Sequence, residues 1–190
     1  MKNLLKYSFL LLICGFLAIG CGEDEPEAVP GCTDMEADNF SSTATESDGS
    51  CTYFDRITGV YIGTFDCEGF LAALLLDETT LTIIEFEQPS TVGMGVSVPS
   101  LPIPIPLEGM ITDKNTVDVS NTITNIELTG IDVLPAHEGE RFDITITGQL
   151  VLSEDGSMIS GPLNFSLKEV ALGLDIDDQQ DSCIFTAERQ

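Results

Sequence analysis

Tryptophan is absent from this 190-residue chain, histidine occurs once and tyrosine three times, and only seven side chains are basic against 32 that are acidic. Each shortage removes a class of function. Without Trp and with so few Tyr, the chain is short of the aromatic platforms on which sugars stack. A single His, His137, and no Cys-x-x-Cys leave no zinc set of the usual Cys and His kind. A formal charge of −25 repels phosphate backbones and anionic head groups, so nucleic acid is a poor partner, and divalent cations become natural companions. The signatures of catalysis are missing too: no Gly-x-Ser-x-Gly elbow, no His-Glu-x-x-His, no phosphate loop and no dinucleotide fingerprint. His137, next to Glu138 in the polar turn Pro135-Ala136-His137-Glu138-Gly139-Glu140, reads as a solvated loop residue rather than a general base. Acidic residues are too many to single out a catalytic pair. The expectation is a non-enzymatic protein.

Long apolar runs are scarce as well. Residues 9–17 form an uncharged apolar stretch, short of the roughly 18 residues that a membrane-spanning helix needs. Lys2 and Lys6 precede it and Ala18-Ile19-Gly20 follow it, which is the pattern of a secretory signal over residues 1–20. Ala18-Ile19-Gly20-Cys21 resembles a lipobox, with Ala18 where a larger aliphatic is usual. That resemblance implies cleavage before Cys21 and acylation of its thiol, several chains at about 0.8 kcal/mol per buried methylene giving a permanent anchor. Loss of Lys2 and Lys6 with the signal takes the formal charge from −25 to −27. Residues 21–30, with Glu23, Asp24, Glu25 and Glu27, are expected to form an acidic tether. Acidic residues directly after an acylated Cys also resemble the export signal to the outer face of the outer membrane in one large group of Gram-negative bacteria. The implied location is the outer membrane, lipid-anchored and facing the cell exterior.

Of six cysteines, Cys14 lies in the signal and Cys21 takes the lipid. Cys32, Cys51, Cys67 and Cys183 remain, and in an exported chain they read as two disulfides with three possible connectivities. Gly31-Cys32-Thr33-Asp34, then Ala37-Asp38-Asn39-Phe40, then Asp48-Gly49-Ser50-Cys51-Thr52-Tyr53 resemble a short cysteine-bracketed module found near the ends of many secreted bacterial proteins. Ser41 and Ser42 stand where a proline is common. The resemblance covers residues 31–54 and pairs Cys32 with Cys51, a staple that so small a unit needs because it cannot build a core. Closing that loop is worth about 3 kcal/mol in the chain-entropy model. Asp34, Asp38, Asn39, Glu46 and Asp48 offer the hard oxygen ligands that calcium prefers, without the spacing of an EF-hand. Calcium is the candidate metal, with solvated turn residues as the alternative.

Residues 55–190 carry a β pattern. Apolar residues alternate at Val60 and Ile62; Val92, Met94, Val96 and Val98; Leu101, Ile103, Ile105 and Leu107; Val117 and Val119; Ile126 and Leu128; Phe142, Ile144 and Ile146; Leu163, Phe165 and Leu167; and again at Ile184, each run bounded by turn residues. Residues 70–76 suit a short helix. The expected class is all-β and antiparallel, about eight to ten strands in one domain. Pro102, Pro104 and Pro106 alternate, so they strip donors from one edge only. Their segment is expected at an edge or sheet boundary, with Leu and Ile facing a core and the prolines facing out. A Cys67–Cys183 bridge would join the first and last strands at about 4.7 kcal/mol. Thr58-Gly59-Val60-Tyr61-Ile62-Gly63-Thr64-Phe65, the repeated hairpins and a last strand meeting the first resemble the lipocalin-like, or calycin-like, barrels common among bacterial lipoproteins. A two-sheet β-sandwich is the alternative, favoured by the proline edge.

Two functions follow as expectations. One is a lipid-anchored barrel whose apolar interior binds a small hydrophobic or amphipathic ligand. The other is a structural or accessory surface lipoprotein whose acidic loops meet a protein partner. A continuous apolar cavity of about 300 Å³ or more separates them.

Overall fold

The computed structural model describes residues 27–127 apart from 74, 76, 87, 89 and 100–103, together with 141–170 and 175–190. The signal segment, Cys21, most of the tether, Leu101 to Ile103, Leu128 and the turn holding His137 lie outside the described residues.

The cysteine module contributes a two-residue parallel pair, β1 (Pro30–Gly31) with β2 (Glu46–Ser47). One helical turn, α1 (Phe54–Ile57), leads from it into the β-domain. The strands there are β3 (Gly59–Cys67), β4 (Thr79–Glu85), β5 (Thr91–Ser97), β6 (Ile105–Asp113), β7 (Thr116–Glu127), β8 (Arg141–Leu152), β9 (Met158–Glu169) and β10 (Asp175–Arg189). Each pairs antiparallel with its sequence neighbours, and β10 returns to β3, so the eight close a barrel. The helix expected over residues 70–76 is a 3₁₀ turn at Phe70–Ala73.

Period-two alternation builds the interior. Leu163, Phe165 and Leu167 of β9, and Cys183, Phe185 and Ala187 of β10, are buried while their neighbours in between are not. Closing so small a barrel bends its strands sharply, and glycine permits the close approach. A Cβ on Gly63 would sit 2.0 Å from the Thr186 carbonyl oxygen, and one on Gly161 1.9 Å from that of Gln149.

Three features differ from the sequence expectation. β4 is a strand whose Leu81 and Ile83 are buried, although Thr79-Thr80-Leu81-Thr82-Ile83-Ile84 does not alternate cleanly at its end. Val117, Val119 and Ile126 belong to one strand, β7, interrupted by a register shift between Ile123 and Ile126. There Asn125 adopts φ 62°, a conformation Asn tolerates, and its N–H donates to the Asp143 carboxylate at 2.9 Å. Finally, the sandwich alternative is overturned by barrel closure. Pro106 does not end the sheet; it opens one seam part of the way.

That opening follows from backbone chemistry. Pro106 pairs with Gly95 of β5, while its carbonyl, facing β7, accepts from the Asn121 side-chain amide at 3.0 Å. In an antiparallel strand the N–H and C=O of one residue point the same way, so the missing Pro106 donor also faces β7. The β6–β7 ladder accordingly runs from Asp113 and Thr116 only as far as Gly109 and Val119. Pro106 is exposed, Leu107 buried and Ile105 half-buried, so the apolar side chains face in and the proline out.

Both disulfides form. Cys32 bonds Cys51, with Cα atoms 4.9 Å apart. Cys67 bonds Cys183 across the seam between β3 and β10, where the two are ladder partners.

Candidate functional site

The two ends of the barrel are built differently. At one end, α1 inserts Ile57, fully buried, beneath the equally buried Tyr61, whose hydroxyl donates to the Ile57 carbonyl at 2.8 Å. Beyond residue 20 the chain has five basic side chains, Arg56, Lys114, Arg141, Lys168 and Arg189, and three of them serve this end. Arg189 donates to the carbonyls of Arg56 at 2.9 Å and Thr58 at 2.5 Å, closing the last strand over α1. Arg56 reaches two hairpins, donating to the Asn115 side chain at 2.8 Å and the Glu154 carbonyl at 2.8 Å. Lys114 pairs with Glu36 of the module at 2.6 Å. This end is sealed.

The opposite end carries the Cys67–Cys183 bridge, the 3₁₀ turn and the open part of the β6–β7 seam. Asp181 points inward from β10, and its two carboxylate oxygens accept the N–H groups of Gly69 at 2.9 Å and Leu71 at 2.7 Å. It thereby holds the 3₁₀ turn, with buried Leu71 and Leu75, against the barrel. Phe65, Ile105, Ile123 and Ile144 face inward here and are only partly buried, packing against the core. The Phe65 ring meets Phe185 at 4.7 Å and Phe165 at 6.2 Å between centroids. Polar groups in this half are few and acidic or neutral: Thr79, Asn121, Glu169 and Asp181. Cys67, Cys183 and Asp181 lie close enough together to suggest a metal set. The two sulfurs, however, are joined in the disulfide, and both Asp181 oxygens already accept hydrogen bonds.

Two open grooves lie on the described surface, both outside the barrel. One, of about 410 Å³, is lined by Thr145, Thr147, Asn164, Ser166, Gln180 and Ser182 with Phe165 and Asp181 at its floor. The other, of about 450 Å³, separates the module from the β4–β5 turn, and Asp38, Asp55, Glu85, Phe54 and Phe86 are among its walls.

The residues singled out for calcium do not converge. Asp34 accepts the Glu36 N–H at 2.9 Å and the Tyr53 hydroxyl at 2.9 Å. Those bonds, the Glu36 N–H first, hold its carboxyl below the ordinary range, and burial pushes the Tyr53 phenol up. Asp38 accepts the Phe54 N–H at the start of α1, at 2.6 Å. Asn39 bridges Ser50 and Thr52. Asp48 accepts the Ser50 N–H at 3.0 Å, and Ser50 lowers its pKa. Among the described residues, Asp34, Asp38, Glu46 and Asp48 supply no group of three carboxylates with oxygens all within 4.8 Å of one another. Asp34 and Asp48 instead each fix a turn, and Asp38 holds the start of α1.

Sequence reasoning passed over Asp181 and Glu169, lost among 32 acidic residues. The available signal was phase. Leu163, Phe165, Leu167 and Glu169 share one parity, as do Asp181, Cys183, Phe185 and Ala187, so each carboxylate sits where the alternation demands an inward residue.

No protein-family model matches the chain, and no curated protein is found to resemble it. Among solved structures, the chain is similar to one described as EF1p2_mFAP2b bound to DFHBI, at 14% identity and a TM-score of 0.41, over 73% of this chain and 97% of that one. A likeness at this level carries no argument about the ligand.

Proposed function

We propose that this chain is a lipid-anchored, outward-facing binding protein, not an enzyme, whose barrel takes a small apolar or amphipathic ligand at the end opposite α1. An eight-stranded barrel is wide enough for side chains or one small ligand. The observation that carries the reading is the contrast in burial. At the α1 end Ile57 and Tyr61 are 0% exposed, whereas inward-facing Phe65, Ile105, Ile123 and Ile144 are only partly buried toward the disulfide end, among buried Phe142 and Cys183. An apolar lining with a few convergent polar groups is the ordinary make-up of a small-molecule site. Anchoring rests on the signal segment and Cys21. Cys21→Ser should move the protein from the membrane fraction to the soluble fraction; retention in the membrane would refute the anchor.

Ligand binding is tested with the neutral fluorophore N-phenyl-1-naphthylamine, titrated into full-length Cys21→Ser protein so that no detergent competes. The expected result is saturable enhancement of emission, lost in Ile144→Trp, which adds bulk to the inner face of β8. A linear, non-saturating response would contradict it. That result would favour the second reading, an accessory surface protein, for which the external groove walled by Asp38, Asp55 and Glu85 is the supporting observation.

A further inference from the structure

At the disulfide end of the barrel, one inward carboxylate has no partner among the described residues. Glu169 is the last residue of β9 and is 8% exposed. It follows Leu163, Phe165 and Leu167 in the inward phase, with fully buried Phe142 as its ladder partner on β8. No described residue gives it a hydrogen bond or an ion pair. The neighbouring cations are turned outward. Lys168 is exposed on the other face of β9, and Arg141 is exposed on β8, donating to the Asn125 side chain at 2.6 Å and its carbonyl at 2.8 Å. Asp181, the other inward carboxylate, is already satisfied by Gly69 and Leu71.

A carboxylate withdrawn from water without a partner costs several kcal/mol, which a bound cationic group would repay. That group must bring positive charge, because the described inward side chains supply none, and the donors among them, Thr79 and Asn121, already bond the Asp77 and Pro106 carbonyls. We infer that Glu169 is the polar anchor of the binding site and receives the protonated amine of a ligand whose apolar body lies along Phe142, Ile144 and Leu167. This rests on the ligand-binding reading above and narrows it to cationic amphiphiles. Fatty acids and other anionic amphiphiles are disfavoured twice, by Glu169 itself and by the field of a strongly acidic protein.

The test is displacement of N-phenyl-1-naphthylamine from full-length Cys21→Ser protein by dodecylamine, 1-dodecanol and dodecanoate, all below their micelle thresholds. A charged hydrogen bond is worth roughly 1.5–3 kcal/mol, so dodecylamine should displace the fluorophore at about tenfold lower concentration than dodecanol, with dodecanoate weakest. Glu169→Gln should erase the amine preference, so that dodecylamine and dodecanol displace the fluorophore at concentrations within about twofold of each other. Glu108→Gln, which removes an exposed charge from the outer face of β6, should keep the preference and so separate local recognition from general charge. Saturable fluorophore binding with no amine preference, or with the preference intact in Glu169→Gln, overturns the role of Glu169 and leaves the binding barrel standing. Absence of any saturable binding overturns both.

Discussion

The sealed and disulfide ends of this barrel solve the same problem, closing a short stack of strands, by different physical means. At the sealed end, apolar burial and three of the scarce cations act together. Ile57 plugs the core, and Arg56 and Arg189 satisfy carbonyls that the strands leave free. At the other end Arg141 braces the β7 bulge at Asn125. A covalent bond ties β3 to β10, one carboxylate holds a 3₁₀ turn, and Pro106 keeps β6 from zipping fully to β7. The difference teaches where access has been kept. An end held at a few points by a crosslink and a cap can open locally without loss of the barrel, whereas an end filled by Ile57 cannot.

The comparison can be broken first at the crosslink. Cys67→Ser with Cys183→Ser removes a bridge spanning 116 residues, and urea unfolding should show a loss of about 5 kcal/mol in the chain-entropy model. A loss below about 1 kcal/mol would mean that the seam is held by its hydrogen bonds alone. Next, Ile57→Ala should cost about 3 kcal/mol through the cavity left at the sealed end, with fluorophore affinity unchanged; a change in affinity would mean that the ligand reaches this end. Asp181→Ala removes two acceptors from the 3₁₀ turn and should cost about 1–2 kcal/mol. Hydrogen exchange should show faster exchange at Gly69 and Leu71 and unchanged exchange at Tyr61.

The smallest effect concerns pH. In the β8–β9 hairpin the hydroxyls of Ser153 and Ser157 and the Ser157 N–H donate to Asp155, lowering its pKa to about 2. Because the folded value lies below the ordinary one, the hairpin gains stability above the usual aspartate range and loses it as pH falls through about 2. Carboxyl chemical shifts of Asp155 should titrate with that midpoint; a midpoint near the ordinary 3.8 would show the serines elsewhere.

Much of this architecture is legible in the sequence because alternation and cysteine spacing act locally. The runs around Val96, Ile146 and Phe165 mark strands, and Cys32, Cys51, Cys67 and Cys183 form the two disulfides that their context implies. Barrel closure is expected from the lipocalin-like resemblance and from a Cys67–Cys183 bridge, but the alternating prolines do not decide it, since they describe an edge whether it ends a sheet or splits a seam. What decides is that β6 regains donors at Gly109 and rejoins β7, which depends on a partner brought in by the fold. The acidic residues were the hardest to read. Asp34, Asp38 and Asp48 cluster in sequence, yet Asp34 and Asp48 each stabilise a local turn and Asp38 holds the start of α1. Asp181 and Glu169 are unremarkable in sequence but gain their significance from the face they occupy.

The central claim is that one end of the barrel is sealed and the other receives ligand. Amide chemical shifts of uniformly ¹⁵N-labelled Cys21→Ser protein, recorded with and without N-phenyl-1-naphthylamine, test it most directly. The account predicts perturbations at Phe65, Leu71, Ile123, Ile144 and Leu167 and none at Ile57, Tyr61 or Arg189. Perturbations centred on α1, or on the external groove at Asp55 and Phe86, would contradict it.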